Sequence, residues 1–191
     1  MMYSPSFLFE RDTLLKINPK NSFQIGRLLS ISLNLTHGLI ATEKKYNLFP
    51  SVGLILLTGQ RPKIIRAKKS VASFKLKVGS VIGCQVTMRG KQMKPFLETL
   101  TLLAIPQLKQ EYFFSTSALA SSTNMCFGLG DLLVFPELEK NFEIFGGLRG
   151  CYVQLYTNTK NPFEKNLILS FYNLPVYAHN KRKHIYEKCG L

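Results

Sequence analysis

Residues 81–89 read Val-Ile-Gly-Cys-Gln-Val-Thr-Met-Arg, and this alternation of apolar and polar side chains is typical of a β-strand with one buried face. The apolar members share one side of the strand and would face a core: Ile82, Cys84, Val86 and Met88. The hydrogen-bonding members share the other side: Gln85, Thr87 and Arg89. A strand of this kind predicts a sheet that is covered on one face and open on the other.

Other stretches repeat the pattern. Residues 30–35 and 151–157 each alternate, with aliphatic residues or cysteine on one side. Their other side carries polar or aromatic groups: Ser30, Ser32 and Asn34 in the first stretch, and Tyr152, Gln154 and Tyr156 in the second. Residues 61–66 and 132–135 are further candidate strands.

Three stretches predict helices that could cover the apolar face. Residues 91–105 carry an apolar stripe at helical spacing, with Gly90 before it and Pro106 expected to end it. Residues 42–57 and 162–171 are the other two candidates. The sequence therefore predicts an α+β fold, in which helices pack on one face of an antiparallel sheet and the other face stays open.

The chain is strongly basic, with 25 Lys and Arg against 11 Asp and Glu in 191 residues, a net charge of +14. Residues 44–97 contain twelve basic side chains and no acidic one. A solvated surface normally mixes the two signs, whereas Lys and Arg grouped in this way favour a polyanionic partner. The open face and this basic block together predict an RNA-binding surface.

Composition also limits the class of protein. The length suits one domain, which we predict over residues 1–177, followed by a basic tail at 178–191. No apolar run is long enough to cross a bilayer or to act as a signal peptide, so we expect no membrane partner. The four cysteines are widely spaced, which favours free thiols. A zinc site is conceivable only in the tail, where His179, His184 and Cys189 recur, but the spacing is poor.

Residues 67–78 interrupt the regular elements with a long basic loop that contains several lysines around Val71, Ala72 and Phe74. Such a loop can press against a phosphate-lined partner. The alternative is an ordinary exposed hairpin loop. An exposed phenylalanine near the tip favours the first interpretation, because it would need a covering surface.

Several motifs follow one another at consistent spacing: residues 58–62 (Thr-Gly-Gln-Arg-Pro), 67–76 (Ala-Lys-Lys-Ser-Val-Ala-Ser-Phe-Lys-Leu), 86–90 (Val-Thr-Met-Arg-Gly), 135–137 (Phe-Pro-Glu) and 149–150 (Arg-Gly). In this order they resemble the bacterial and organellar ribosomal protein L five family. The resemblance covers most of the chain between the first predicted strand and the last predicted helix.

This resemblance implies a large-subunit ribosomal protein whose antiparallel sheet lies in the central protuberance against 5S rRNA and large-subunit rRNA. It implies that Asn34, Gln60 and Thr87 hydrogen-bond to that RNA, and the alternation already placed Asn34 and Thr87 on the polar side. Basic residues beside them are expected to bind rRNA as well: Arg61, Lys63, Arg66 and Arg89.

The family's basic loop reaches peptidyl-site tRNA, and the matching residues here are Lys68, Lys69, Phe74, Lys75 and Lys77. The resemblance further implies contacts with neighbouring central-protuberance proteins and with a protein of the small-subunit head. Residues 117–125 depart from the family's charged, glycine-containing segment. Residues 35–38 and Ser73 also depart from the family's glycine pattern.

Residues 142–145 look more like mitochondrial members of the family, so we predict a ribosome-bound protein of the mitochondrial matrix. A plastid or the bacterial cytoplasm is the alternative location. The sequence also leaves open a free-standing basic RNA-binding factor, which would share the same composition.

An enzyme is not expected. The Gly-Leu-Gly stretch at residues 128–130 lacks the Lys-Ser/Thr pair of a phosphate-binding loop. His37 has no evident carboxylate to orient it, and Glu137 and Glu139 are predicted to lie in a turn or on the surface. We therefore predict no catalytic residue, no metal and no cofactor.

Overall fold

The computed structural model describes residues 5–17, 19–36, 48–74, 76–108, 114–115, 124–148, 150–159 and 161–177. The chain divides into two compact units. One spans Leu28–Glu111 and Asn124–Tyr156, and the other consists of Met1–Arg27, Tyr112–Thr123 and Thr157–Leu191. The single domain over residues 1–177 stays a prediction, and the tail at 178–191 lies outside the described residues.

The elements are numbered in chain order. The strands are β1 (Leu28–Thr36), β2 (Lys63–Arg66), β3 (Val81–Met88), β4 (Phe114–Ser115), β5 (Asn124–Leu129), β6 (Cys151–Thr157) and β7 (Val176–Tyr177). The α-helices are α1 (Pro5–Ile17), α2 (Leu48–Thr58), α3 (Met93–Thr99), α4 (Ile105–Gln107), α5 (Pro136–Glu139), α6 (Phe142–Phe145) and α7 (Pro162–Phe171).

A five-stranded sheet in the order β2-β3-β1-β6-β5 forms the centre of the first unit. The pairs β2–β3, β3–β1 and β5–β6 are antiparallel. Its apolar side chains lie on one face and are almost fully buried: Ile31, Leu33, Leu35, Cys84, Val86, Met88, Val153 and Leu155. Burial of this many aliphatic groups is the main stabilising contribution, at about 25 cal/mol per Å² removed from water.

Helices cover that apolar face. Helix α2 lies against β1 and β3 and contacts α5 and α6. Gly53 of α2 permits this approach, because a Cβ there would lie 3.3 Å from the Leu148 side chain. Phe96 of α3 stacks on Phe135 with ring centroids 6.1 Å apart. The predicted α+β fold is thus confirmed.

The second unit pairs α1 with α7. The Phe9 and Phe171 rings pack with centroids 4.7 Å apart. The side chain of Asn158 accepts a hydrogen bond from the Arg27 backbone N–H at 2.6 Å and donates one to the Ile25 carbonyl at 3.1 Å. The short strands β4 and β7 pair in parallel. Neither α1 nor this pair was predicted from the sequence.

Helix predictions fared unevenly. Helix α7 has the predicted bounds, whereas the predicted start of the helix at 42–57 falls on residues outside the described ranges. The prediction that Pro106 ends the helix at residues 91–105 was wrong, since α4 contains Pro106 and continues to Gln107. The reason is a π-helical turn at Leu100–Ala104 immediately before it, which rearranges the hydrogen bonds where proline lacks an N–H.

Strand predictions held in the centre of the sheet and failed at one edge. Strand β6 has the predicted bounds, and β1 and β3 differ from prediction by one or two residues. The predicted strand at 132–135 was wrong: the Leu133 N–H bonds to the Asp131 side chain at 2.9 Å and the chain turns into α5. The edge strand is instead β5, where Met125 and Leu129 face the core.

Candidate nucleic-acid interface

The open face is the side of the five-stranded sheet opposite the helices. It carries polar or aromatic groups, which are Lys63, Gln85, Thr87, Ser32, Asn34, Tyr152, Gln154, Tyr156 and Asn124, together with a few small or apolar residues, which are Ile65, Val81, Gly83, Cys126 and Gly128. Their placement follows from the two-residue period of the strands, since the alternate residues are buried among the helices. This side of the sheet offers amides, hydroxyls and aromatic rings to a partner.

Asn34 and Thr87 lie on this face as predicted. Asn34 of β1 is opposite Gln85 of β3, and Ser32 is opposite Thr87. Asn34 and Thr87 are therefore diagonal neighbours, which in antiparallel sheets places side chains about 7–8 Å apart. Thr87 is exposed and Asn34 is half-buried.

The middle of β1 is less open than predicted. Ser30 and Ser32 were expected on an exposed surface, but both are buried, Ser32 at 1% exposure. Gln85 lies over Ser32 and donates to its hydroxyl from Nε2 at 2.9 Å. The longer Gln85 side chain of the neighbouring strand thus covers the small Ser32.

Gln60 is positioned by the turn that ends α2. The Gly59 N–H bonds to the Ile55 carbonyl at 2.8 Å, and Gly59 has φ +66°, a left-handed conformation that suits glycine at a helix end. The buried Thr58 hydroxyl donates to the Leu54 carbonyl at 2.6 Å and accepts from the Gln60 N–H at 3.2 Å. Thr58 and Gly59 thereby direct Gln60 into the connection that leads to β2, beside the open face rather than on it.

Polar groups on and beside the open face differ in availability. Within the described part of the chain, the side chains of Asn34, Gln60 and Thr87 form no hydrogen bond, whereas those of Gln85 and Gln154 are engaged. An amide or hydroxyl without an internal partner can bond to a ligand without breaking an existing bond. The three residues predicted to bind rRNA are therefore free to do so.

Basic side chains border the same face. Lys63 of β2 lies opposite Gln85, and Arg89 continues β3 in an extended conformation, with φ −141° and ψ 154°, on the side of Thr87. A β-bulge between Ile65 and Arg66 shifts the register, so that Arg66 pairs with Val81. Because of the bulge, Arg66 lies on the same face of the sheet as Lys63, whereas simple alternation would place it on the opposite face. Arg61, Lys63, Arg66 and Arg89 are all exposed.

The basic loop extends from the β2–β3 hairpin. Its base is closed by the bond from the Ala67 N–H to the Ser80 carbonyl at 2.8 Å, and Val71 and Leu76 exchange two backbone bonds of 3.1 Å. A short 3₁₀ turn at Ala72–Phe74 lies between them. The exposed lysines are Lys68, Lys69 and Lys77, while Lys75 and the side chain of Phe74 lie outside the description.

Acidic residues are segregated from the open face. In the described part of the unit that contains the sheet, they are Glu98, Asp131, Glu137, Glu139 and Glu143. None of them belongs to a strand: four are in helices and Asp131 is in the turn after β5. A phosphate backbone approaching the open face would meet cations at its border and no carboxylate within the strands.

The β5–β6 half of the face adds features that sequence reasoning did not assign. The Tyr156 hydroxyl donates to Gln154 Oε1 at 2.8 Å. The Tyr152 hydroxyl is hydrogen-bonded to the Cys126 thiol, which raises the pKa of Tyr152. The missed signal was the alternation of residues 124–129, which would have placed Cys126 and Gly128 on the open face.

The buried Cys151 of β6 contacts Asn34 of β1 on the core side of the sheet. Burial raises the pKa of the Cys151 thiol to about 12, partly offset by a hydrogen bond from the Asn34 backbone N–H. Asn34 is therefore next to the start of β6. Cys84 and Cys151 are buried free thiols, as predicted, and Cys126 is exposed.

The described residues contain no group of three or more His, Cys, Asp or Glu side chains that could hold a metal ion. No helix within the described ranges is long and apolar enough to span a bilayer. His37 and Arg149 lie outside these ranges, as do the three candidate zinc ligands of the tail.

Comparisons with known proteins agree with this geometry. Residues 81–176 match the family model described as the ribosomal L5P family C-terminus. The large ribosomal subunit protein uL5 of Buchnera aphidicola subsp. Schizaphis graminum (strain Sg) is 32% identical over 162 residues, which are 85% of this chain and 89% of that protein.

Proposed function

The chain belongs to the ribosomal L5P family, and from that premise we propose that its open face binds 5S rRNA and adjoining rRNA in the central protuberance. Membership makes it a structural, non-enzymatic constituent of the large ribosomal subunit that acts in translation. The resemblance seen in the sequence is thereby confirmed at the level of the family. The RNA contacts of individual residues are the proposal.

The observation that carries this proposal is the contrast between the two sides of the sheet. The open side presents Asn34 and Thr87, whose side-chain polar groups bond to no residue that the structure describes. Lys63, Arg66 and Arg89 border them, and the strands carry no acidic residue. Cationic groups supply affinity for phosphates, and positioned amides and hydroxyls select base or sugar edges. Positioned amides and hydroxyls fit the recognition of structured RNA better than a merely electrostatic contact would.

Alanine substitutions test the assignment. Asn34→Ala, Gln60→Ala and Thr87→Ala should each weaken binding of a 5S rRNA transcript by about 1 kcal/mol or more, because an RNA group loses its partner. Thermal unfolding should be nearly unchanged, since these side chains form no hydrogen bond within the described ranges of the chain. Thr99→Ala on α3 removes a similar hydroxyl from the helical side and should leave binding intact. Equal loss of stability and binding in the three variants would contradict the proposal.

The basic loop is proposed to contact peptidyl-site tRNA through Lys68, Lys69, Phe74, Lys75 and Lys77. Support comes from its position at the end of the β2–β3 hairpin and from its exposed lysines. The hydrogen-bonded frame between Ala67 and Ser80 would hold these lysines away from the sheet. The loop would thus steady tRNA electrostatically without taking part in chemistry.

Protein contacts are proposed for the helical side. Helix α2 has no charged residue, and one of its sides is apolar yet exposed, with Leu48, Val52, Ile55 and Leu56. An uncharged apolar row suits a neighbouring central-protuberance protein and offers nothing to phosphates. Val52→Asp should therefore impair incorporation into the large subunit while binding of isolated 5S rRNA persists. The small-subunit head contact is also proposed, although most of residues 117–125 lie outside the description.

For location we propose the mitochondrial ribosome, on the likeness of residues 142–145 to mitochondrial members. Mass spectrometry of ribosomes from purified organelles and from cytoplasm tests this, and recovery only with plastid or bacterial ribosomes would overturn it. Family membership disfavours the alternative that the sequence left open, a free-standing RNA-binding factor. Such a factor would be stripped by a high-salt wash, whereas a ribosomal constituent stays stoichiometric with large-subunit rRNA.

A further inference from the structure

We propose that Tyr152, together with the bare backbone at Gly128, forms a stacking subsite for an unpaired RNA base on the β5–β6 half of the open face. The subsite rests on the proposed RNA binding and adds to it a ligand class and a position. It is separate from the polar residues Asn34, Gln60 and Thr87 to which RNA contacts were assigned above.

The ring of Tyr152 is accessible. Its side chain is 43% exposed, although it belongs to an inner strand of the sheet. The strand alternation turns it away from the core that holds Cys151 and Val153. An exposed ring on an open sheet is the feature on which sheet-based RNA readers stack their bases.

Gly128 leaves room beside the ring. It is directly opposite Tyr152 in the β5–β6 register. A Cβ built at Gly128 would have no heavy atom within 4 Å, so neither the Tyr152 ring nor any other side chain fills this space. A planar group could therefore lie against Tyr152 and above the backbone of β5 without displacing any protein atom.

The tyrosines are held by their hydroxyl groups. The Tyr152 hydroxyl interacts chiefly with the Cys126 side chain, which raises the pKa of Tyr152, and more weakly with Gln154, which lowers it. Gln154 in turn accepts from Tyr156 at 2.8 Å. These interactions restrict both aromatic side chains before a ligand arrives, so that less conformational entropy is lost on binding.

The surroundings favour a nucleotide over a protein partner. Strands β5 and β6 carry neither acidic nor basic residues, and the cations Lys63, Arg66 and Arg89 border the other half of the same face. A phosphate backbone held by those cations could extend a base across the sheet, past Asn34, to Tyr152. Asn34 is next to the start of β6, as its hydrogen bond to Cys151 shows.

The test uses the full chain and a single-stranded RNA of eight nucleotides with a central 2-aminopurine, whose fluorescence falls when it stacks. Wild-type protein should quench the probe. Tyr152→Ala should lower affinity by roughly tenfold to a hundredfold, the usual loss for one stacked base. Tyr152→Phe keeps the ring and should bind within about threefold of wild type, and Gly128→Val should weaken binding by filling the space, on the same stacking grounds.

Phe142→Ala is the matched control, because Phe142 is 62% exposed but belongs to α6 on the helical side. It should bind as wild type does. Equal affinities for Tyr152→Ala and wild type, or binding without quenching, would overturn the subsite. So would wild-type binding of 5S rRNA with none of the probe. If the wild-type protein bound neither RNA, the proposed function itself would fail, whereas dependence on Thr87 but not on Tyr152 would remove the subsite alone.

Discussion

Replacement by alanine should lower the free energy of unfolding at one glycine of the sheet and raise it at another. A Cβ at Gly83 would lie 2.5 Å from the Leu35 carbonyl oxygen and 2.8 Å from Thr36 Cγ2, whereas one at Gly128 would meet nothing within 4 Å. Ordinary contacts begin near 3.5 Å, so Gly83→Ala forces β1 and β3 apart by a sizeable fraction of an ångström. Overpacking of this kind costs about 1–3 kcal/mol.

An opposing contribution acts at both sites. Replacing glycine by alanine reduces the entropy of the unfolded chain, which stabilises the fold by about 0.4–1 kcal/mol where the backbone is compatible. Neither Gly83 nor Gly128 has a positive φ, so this gain applies to both. Gly83→Ala should therefore lose roughly 1–2 kcal/mol net, while Gly128→Ala should gain up to about 1 kcal/mol.

Urea unfolding measures the difference as a change in midpoint at a constant m-value. Gly83 is opposite Thr36 in the register that also sets Asn34 against Gln85. Gly83→Ala should therefore also weaken 5S rRNA binding under conditions where the variant is fully folded, because Asn34 and Thr87 would be displaced. Free energies of unfolding that agree to within about 0.5 kcal/mol for the two variants would refute the close approach of β1 and β3, since the expected gap is larger.

Three further outcomes are expected. Affinity for 5S rRNA should fall by roughly one to several orders of magnitude from low to moderate salt, and a flat dependence in filter binding would count against phosphate contacts. Neutralising the loop lysines should reduce retention of peptidyl-site tRNA yet leave subunit sedimentation normal, and loss of assembly would contradict the loop's assignment. Cys151 should resist alkylation from pH 7 to 9, because its pKa of about 12 keeps the thiol protonated, while exposed Cys126 reacts; peptide mass spectrometry distinguishes them.

The local sequence pattern predicted an element correctly where that pattern matches the environment of the element in the fold. Strand β6 alternates without interruption and α7 starts at Pro162, so both bounds of each were predictable. Residues 132–135 are as apolar as a strand, but the Asp131 side chain caps a turn there and Pro136 starts α5. Hydrophobicity alone could not separate these two cases.

The candidate site was predictable in its chemistry and less so in its geometry. Alternation placed Asn34 and Thr87 on one side, and the run of lysines and arginines marked the basic half. The side to which Arg66 points depends on a bulge, and the burial of Ser32 depends on Gln85 from another strand. The Gly128 space depends on which residue faces Tyr152 across β5 and β6. These are pairings between distant segments, which a single sequence does not contain.

The topology also explains why a cluster of charge along the chain becomes a cluster in space. Strand β2, the basic loop and β3 are consecutive in sequence, and β2 and β3 are adjacent in the sheet. The cations of β2, those of the loop and Arg89 after β3 therefore gather along one edge of the open face. Strands β1, β6 and β5 carry no charged residue at all. Phosphates are attracted most strongly to the first region, and uncharged amides, hydroxyls and rings line the second. We therefore expect bound RNA to lie with its backbone along β2 and β3 and its bases turned toward β6 and β5.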